Sequence, residues 1–228
     1  SDVKNSGHEV ILVSSGAIGM GVGKLKMKGR PSDMPTKQAA AAVGQCELMY
    51  VYDKLFSEFS HTVAQILVTG EDLQGGERHR NFVNTILRLL ELKTLPVINE
   101  NDTVATEEIR VGDNDTLSAY VAEAAKANLL VLLSDIDGLF TANPHTDPTA
   151  QLIHEIPALT DEVMAMADGA GSPLGTGGMA TKLHAARIAT KAGIDMVIAN
   201  GAHADVLYDI AEGKEAGTRF SASPKSTG

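Results

Sequence analysis

The chain has 228 residues, a formal net charge of −10 and a hydrophobic content of 43%. This length fits one large α/β domain or two small ones, and the composition is that of a globular protein with a buried core. The acidic charge balance argues against nucleic-acid binding, which needs a basic surface. The purest apolar run, residues 129–133, is far shorter than the roughly 20 residues that cross a bilayer. We therefore expect neither a nucleic-acid nor a membrane partner.

The cellular compartment follows from the cysteine content and the first residues. Cys46 is the only cysteine, so an internal disulfide is impossible. The start, Ser1 to Lys4, has no basic segment followed by an apolar stretch, which is the pattern of a secretion signal. These features predict a cytoplasmic protein.

Short apolar runs rich in β-branched residues alternate with longer segments of helical periodicity. Strands covered on both faces are apolar nearly throughout, as these runs are. The predicted strands are Val10–Val13, Val63–Val68, Leu95–Ile98, Leu129–Leu133 and Met196–Ala199. Strand–helix alternation of this kind predicts an α/β fold with an open, mostly parallel sheet and helices on both sides, a three-layer α/β/α sandwich.

Two helical segments stand out between these strands. Phe82, Ile86, Leu89 and Leu90 form one apolar stripe, and Met179, Leu183, Ala186 and Ala189 form another that Gly193 closes as a C-terminal cap. At the ends of the chain, residues 1–8 read as the end of a helix, so a preceding strand is expected to be missing. Residues 221–228 are polar, and we predict a flexible tail there.

Ligands of open parallel sheets bind beyond the carboxyl ends of the strands. The first polar, glycine-bearing segment at such an end is residues 14–17, followed by further glycines up to Gly23. Small residues let backbone N–H groups approach an anion closely, although a tight strand-to-helix turn explains the segment equally well. A dinucleotide fingerprint and a phosphate-binding P-loop both fail, because Lys24, Lys26, Ile18 and Leu25 occupy required positions.

Two further segments are acidic and rich in amides. Residues 99–102 (Asn-Glu-Asn-Asp) follow a predicted strand, and residues 112–115 (Gly-Asp-Asn-Asp) precede a helix. The first is either a solvated turn or a site for an ammonium group or a hydrated metal. The second is partly explained as a helix N-cap, but two aspartates exceed what one cap needs.

The fourth segment, residues 175–182, places glycines directly before a helix whose first turn contains Lys182. Free N–H groups and the helix dipole favour an anion there, whereas a lysine opposes the dipole and needs an offsetting charge. Phosphate binding explains this combination better than a solvated lysine does. Ser134 and Asp135, at the end of another strand, would face the same crevice, unless they form an ordinary turn.

These motifs together resemble the glutamate 5-kinase family of the amino acid kinase superfamily, and the match runs in order from about residue 7 to residue 220. It includes Ser-Ser-Gly-Ala-Ile at 14–18, Asn-Glu-Asn-Asp at 99–102, Gly-Asp-Asn-Asp at 112–115 and Gly-Thr-Gly-Gly-Met-Ala-Thr-Lys at 175–182. The resemblance implies transfer of a phosphoryl group from ATP, accompanied by Mg²⁺, to the γ-carboxylate of L-glutamate. That reaction is the first step of proline biosynthesis.

The resemblance also implies roles for individual residues. The glutamate-binding set is Ser15, Gly16, Ala17, Asp102, Asp113 and Asn114. Ser134 and Asp135 resemble nucleotide contacts on the adenine and ribose side. The phosphate-binding loop is Thr176, Gly177, Gly178, Met179, Ala180, Thr181 and Lys182. Lys182 and Asp115 are the expected catalytic residues, and no protein metal ligand is expected.

The same resemblance implies a kinase domain over residues 1–220, feedback inhibition by proline, a homo-oligomer, and functional coupling to glutamate-5-semialdehyde dehydrogenase. Two features depart from the family. No Lys-x-Gly-Thr/Ser-Ser motif precedes Val10, and the chain ends without the C-terminal RNA-modification-type (PUA) domain of many members. Two alternatives stay open: another superfamily kinase with a different carboxylate, carbamate or phosphate acceptor, and a non-catalytic amino-acid sensor.

Overall fold

A computed structural model describes residues 1–105, 111–144, 146–169, 178–203 and 205–223, with the backbone alone for 167–169. The chain divides into two compact units, Ser1–Asn114 and Asp115–Gly228. The boundary falls within helix α6, Asn114–Ala125. Helices and mostly parallel strands make up both units, so the predicted α/β class is confirmed.

The first unit contains a three-stranded parallel sheet in the order β1-β3-β2. Residues Leu12 and Val63 pair with Val97 and Leu95, so the central strand is β3. All six residues of β3 are buried. The elements before α6 are α1 Asp2–Asn5, β1 Leu12–Val13, α2 Ala17–Lys24, α3 Met34–Ser57, β2 Val63–Val68, α4 Gly70–Leu73, α5 Gly76–Glu91 and β3 Leu95–Glu100.

The second unit contains a four-stranded sheet in the order β4-β6-β7-β5. Strands β4 and β6 pair in parallel, as do β5 and β7, whereas β6 and β7 are antiparallel. The elements after α6 are β4 Leu129–Ser134, β5 Glu155–Ile156, α7 Asp161–Gly169, α8 Met179–Lys191, β6 Asp195–Asn200, α9 Val206–Ala211 and β7 Thr218–Phe220.

Helices cover both faces of the four-stranded sheet, as the sequence predicts. On one face, Leu183 of α8 packs with Met196, Ile198 and Phe220 in a fully buried cluster. On the other face, Ile210 of α9 and its neighbours form a smaller cluster. Burial of apolar side chains on both faces supplies the main stabilising term for this unit.

All five predicted strands are present; β2 has the predicted bounds, and the bounds of the other four are shifted. Strand β1 is shorter than predicted, and β3 and β4 run on to Glu100 and Ser134. Leu133 of β4 is 51% exposed, so this strand is not covered along its whole length as predicted. Strands β5 and β7 were not predicted, because two or three residues are too few to establish a period.

The two predicted helical stripes are confirmed. Phe82, Ile86 and Leu90 are the buried face of α5. Helix α8 ends at Lys191, and Gly193 follows with a φ of +80°, a left-handed conformation that glycine adopts without steric cost.

Of the glycines after residue 17, Gly21 serves helix packing. It lies inside α2, which crosses α3 at a close approach of the two backbones. A Cβ at Gly21 would lie 1.8 Å from the carbonyl oxygen of Ala40, and one at Gly44 would lie 1.7 Å from that of Ala17. The absence of side chains at these two positions therefore sets the distance between α2 and α3.

Residues 221–223 form hydrogen bonds within the second unit. The backbone N–H groups of Ser221, Ala222 and Ser223 donate to Ile156, to the carboxylate of Asp195 and to Thr190. Residues 224–228 of the predicted tail lie outside the described residues. None of the helices in the described ranges is long and apolar enough to span a membrane.

Candidate functional site

In the first unit, the end of β1 meets the end of β3 and the start of α6. The backbone N–H of Ser14 donates to Ile98 at 2.8 Å, which continues the β1–β3 ladder by one residue. The side-chain amide of Asn114 donates to the carbonyl oxygen of Ser14 at 2.9 Å. The hydroxyl of Ser14 lies 2.9 Å from that of Tyr52 on α3. The structure thus brings Asn114 next to the predicted 14–17 segment.

The 14–17 segment is a strand-to-helix turn, one of the two interpretations that the sequence left open. Gly16 adopts a φ of +94° and is the N-cap of α2. Ser15 and Gly16 are exposed, whereas Ala17 is buried. The turn therefore presents Ser15 and the backbone at Gly16 at the carboxyl edge of the sheet.

A depression beside this turn contains Asp102. Its lining residues come from the starts of α2 and α3 and from the segment after β3: Ile18, Met34, Lys37, Asp102 and Ala105. Two charges of opposite sign line it, together with apolar side chains. The carboxylate of Asp102 in this lining is a group that can bind an amine.

Lys37 and Met34 are lining residues that the sequence reasoning missed. Asp33 caps α3 by accepting the backbone N–H of Thr36 at 2.9 Å. Hydrogen bonds from the side chain and backbone of Thr36 hold the pKa of Asp33 below its usual value. The available signal was Asp33 two positions before Pro35, an N-cap pattern. Lys37 ends a Met-x-Thr-Lys sequence at the start of α3, and Lys182 ends the same sequence at the start of α8.

The prediction that Asn99 and Glu100 follow the strand is wrong. Both belong to β3, with exposed fractions of 2% and 6%. The amide of Asn99 donates to the side chain of Gln45 at 3.0 Å and accepts the backbone N–H of Glu100 at 2.8 Å. Asn99 is therefore part of a buried polar network. Of the two acidic residues in the 99–102 segment, Glu100 and Asp102, it is Asp102 that lines the depression.

In the second unit, Asp115 holds the predicted catalytic lysine. The ammonium of Lys182 lies 3.0 Å from Oδ2 of Asp115, and the hydroxyl of Thr181 donates to the same oxygen at 2.8 Å. Lys182 is buried, with an exposed fraction of 9%. Asp115 supplies the offsetting charge that a lysine near a helix N-terminus requires. This contact brings together two residues 67 positions apart in the chain.

Chain topology explains why α6 and α8 begin at the same edge. Each helix leads through a short connection into a strand of the sheet, α6 into β4 and α8 into β6, and these strands are parallel. A helix that returns to the start of a strand begins near the carboxyl ends of the strands. Gly178 is the N-cap of α8, and within the described residues no side chain caps this end. The N-terminal end of α8 can therefore bind an anion.

Ser134 and Asp135 lie at the carboxyl end of β4, beside the end of β6. The hydroxyl of Ser134 donates to Asp135 at 3.2 Å, and the carbonyl oxygen of Ser134 accepts the N–H of Gly201 at 2.8 Å. Asn200 donates to the exposed Asp137 at 2.8 Å. Asp137 and Asn200 were missed by sequence reasoning, although an Asn-Gly pair after a buried strand was an available signal.

Part of the predicted phosphate loop lies outside the described residues, namely Thr176 and Gly177 together with Gly175. Gly178, Met179, Ala180, Thr181 and Lys182 lie at the start of α8. In the described ranges there is no group of three or more His, Cys, Asp or Glu side chains that could hold a metal ion.

The chain matches the amino acid kinase family over residues 1–200. Together with the α/β fold and with polar residues gathered at the strand ends, this match shows that the chain belongs to the amino acid kinase family. It is a kinase family, so ATP is the expected phosphoryl donor.

Among its relatives, the glutamate 5-kinase of Clostridium tetani (strain Massachusetts / E88) is 53% identical over 221 residues, which are 97% of this chain and 83% of that protein. The glutamate 5-kinase of Clostridium acetobutylicum is 54% identical over 220 residues, 96% of this chain and 82% of that protein. Similarity of this extent reaches nearly every segment of the chain, both units included.

The fold is also similar to that of solved kinases. The crystal structure of an isopentenyl phosphate kinase substrate complex has a TM-score of 0.63 at 17% identity and covers 96% of this chain and 87% of that one. The crystal structure of the T. acidophilum isopentenyl phosphate kinase product complex has a TM-score of 0.57 at 18% identity, over 96% of this chain and 87% of that chain. At these identities the comparison shows the fold alone.

Proposed function

We propose that the chain phosphorylates the γ-carboxylate of L-glutamate with ATP and forms γ-glutamyl phosphate, the first step of proline biosynthesis. The observation that carries this proposal is the 53% identity to a glutamate 5-kinase over 97% of the chain. Residues 1–220 make up the kinase domain in this proposal.

The glutamate-binding residues in this proposal are those of the first unit. Asp102 binds the α-ammonium group, and Ser15, Gly16, Ala17, Asp113 and Asn114 complete the pocket. Support comes from the depression that Asp102 and Lys37 line, and from the hydrogen bond that joins Asn114 to Ser14. A carboxylate that binds the ammonium group makes the site selective for an amino acid over a dicarboxylate without an amine.

The nucleotide residues are those at the edge of the four-stranded sheet. Ser134 and Asp135 contact the adenine and ribose side, and the 176–182 segment binds the phosphates. The position of Lys182 in the first turns of α8, its burial and its pairing with Asp115 support this assignment. The N-terminus of α8, which no side chain in the described ranges caps, adds backbone N–H donors for phosphate oxygens.

The reaction is a displacement at phosphorus. An oxygen of the γ-carboxylate attacks the γ-phosphorus of ATP, the bond from that phosphorus to the bridging oxygen breaks, and ADP leaves. Such transfers need alignment and charge neutralisation more than covalent help from the protein. Lys182 neutralises negative charge that gathers on the transferring group, and Asp115 holds the lysine in place. Mg²⁺ arrives with ATP and lowers the repulsion between the two anions.

Partners and location follow from this activity as proposals. Proline, a product of the pathway, inhibits at the glutamate pocket. The protein forms a homo-oligomer and works together with a glutamate-5-semialdehyde dehydrogenase, because acyl phosphates hydrolyse readily and benefit from rapid consumption. A cytoplasmic location is consistent with the need for ATP and with a lone cysteine.

The test is a hydroxylamine trap for acyl phosphate in the natural, full-length protein. Hydroxamate should form with L-glutamate and MgATP. N-acetyl-glutamate, which lacks a charged amine, and glutarate, which lacks the amine altogether, should give little product. Hydroxamate from glutarate at the rate seen with glutamate would contradict the ammonium site, and absence of hydroxamate with all three acceptors would contradict phosphorylation of a carboxylate. Calorimetric binding of glutamate without any ATP binding would instead identify a sensor.

A further inference from the structure

Glu100 ties the end of the central strand to the segment that precedes α6. It is the last residue of β3 and has an exposed fraction of 6%. Its Oε1 accepts the backbone N–H of Val111 at 2.7 Å. A hydrogen bond with an ionised acceptor is stronger than a neutral one, so this contact is well suited to hold a loop.

The strand end that carries Glu100 is itself held by amide side chains. Asn99 donates to Gln45 at 3.0 Å, and Gln45 donates to Gln65 at 2.9 Å. Asn99 also accepts the backbone N–H of Glu100 at 2.8 Å. These bonds connect β3, α3 and β2, and buried networks of satisfied polar groups favour one arrangement. The backbone at Glu100 is therefore held in place.

The segment that Glu100 holds is fixed again three residues later. Asn114 donates to the carbonyl oxygen of Ser14 at 2.9 Å, next to the exposed Ser15. Between the two anchors, Gly112 has a φ of +100°, which a residue with a side chain rarely adopts. Asp113 lies between the anchors as well, so the anchor at Val111 helps to determine where Asp113 and Asn114 stand.

We propose that Glu100 is a positioning residue for the amino-acid substrate. It acts through the N–H of Val111, which keeps Asp113 and Asn114 in register with the Ser14–Ser15 turn. The proposal rests on the proposed function, in which the 113–114 segment binds glutamate. Loss of the acceptor should therefore weaken glutamate binding while nucleotide binding, in the second unit, stays unchanged.

The test compares Glu100→Ala with Glu100→Gln in the full-length protein. The alanine variant removes the acceptor, and we expect the KM for glutamate to rise about tenfold or more, with the KM for ATP unchanged. The glutamine variant retains an oxygen at the same place, and its KM for glutamate should stay within about threefold of the wild type. Calorimetry, which needs no turnover, should show glutamate affinity clearly weakened in the alanine variant and nearly unchanged in the glutamine variant.

Asp195→Ala is the matched control. Asp195 begins β6 and accepts the backbone N–H of Ala222 at 2.7 Å, a contact of the same kind at the opposite end of a strand. Burial opposes ionisation there, but that N–H and Arg219 hold the pKa of Asp195 below its usual value. This variant should lower the melting temperature and leave both KM values unchanged.

Three outcomes would overturn the proposal. One is a KM for glutamate in Glu100→Ala equal to the wild-type value, and another is an equal rise in the KM for glutamate and ATP. A glutamine variant as impaired as the alanine variant would show that the acceptor oxygen is not what matters. In each case wild-type activity stands, so the proposed function survives. A wild-type protein that neither phosphorylates nor binds glutamate would contradict both.

Discussion

Lys182 is the side chain on which the proposed chemistry depends most. It is buried near the N-terminus of α8, where the helix dipole opposes a cation, and Asp115 stabilises it at 3.0 Å. In the proposed mechanism, by analogy with donors that stabilise developing negative charge, Lys182 contributes to the transition state more than to binding.

Lys182→Ala should lower kcat by roughly 10²–10³-fold or more and leave the KM for glutamate nearly unchanged. Steady-state kinetics with the hydroxamate trap measure both quantities. Lys191→Ala removes an exposed lysine from the other end of the same helix and serves as the control. A kcat for Lys182→Ala equal to that of Lys191→Ala would remove Lys182 from the mechanism.

Asp102→Asn keeps the shape of the side chain and removes its charge. Because the acceptor of the ammonium group loses its negative charge, the KM for glutamate should rise by roughly tenfold to a hundredfold, with a smaller change in kcat. Asp53→Asn, at an exposed position of α3, is the control for a change in net charge. If both variants show the wild-type KM for glutamate, the ammonium partner lies elsewhere.

At the scale of elements, the contact between α2 and α3 determines the place of the 14–17 turn. Gly44→Ala would put a methyl group against the carbonyl oxygen of Ala17, at the first residue of α2. Backbone atoms cannot yield as a side chain can, so we expect a loss of about 1–3 kcal/mol or more in the free energy of unfolding. Chemical denaturation measures this loss.

Gly19→Ala is the control for this prediction, since a Cβ at Gly19 meets no atom within 4 Å. Alanine favours a helix over glycine by roughly 0.5–1 kcal/mol, so this variant should be as stable as the wild type or more stable. Equal stability of Gly44→Ala and Gly19→Ala would show that the backbones of α2 and α3 are not in close contact at Gly44.

At the scale of the whole molecule, the predicted substrate and nucleotide residues belong to different compact units. Asp102 and Asn114 belong to Ser1–Asn114, and Ser134 and Lys182 belong to Asp115–Gly228. Because a bound ligand protects the amides that it orders, the two ligands should leave separate signatures in hydrogen exchange.

Glutamate alone should slow amide exchange at residues 14–17, 98–105 and 111–114, and a non-hydrolysable ATP analogue alone should slow it at residues 134–137, 178–182 and 200–202. Hydrogen-exchange mass spectrometry of the full-length protein resolves these segments. L-leucine, which lacks the γ-carboxylate, is the control ligand. Protection by the nucleotide confined to residues 14–17 and 98–105 would reverse the assignment of the two sites.

The fold class and the five long strands were predictable because hydrophobic periodicity depends on local sequence alone. Leu95–Ile98 and Met196–Ala199 were recognised as buried strands because they are apolar on both faces. Strands β5 and β7 were not recognised, since Glu155–Ile156 and Thr218–Phe220 are ordered by pairing with distant partners. The antiparallel direction of β7 is likewise a property of its pairing with β6.

For the site, the sequence determined which residue types were available: an exposed Ser-Gly turn, a cluster of carboxylates and amides, and a lysine at a helix start. Tertiary structure decided how they are used. It took Asn99 and Glu100 into a buried network, added Lys37 to the depression beside Asp102, and paired Asp115 with Lys182 across 67 residues. The reason is physical: propensity and periodicity act over a few neighbours, whereas hydrogen-bond and ion-pair partners are fixed only when the packed core brings distant strand ends together.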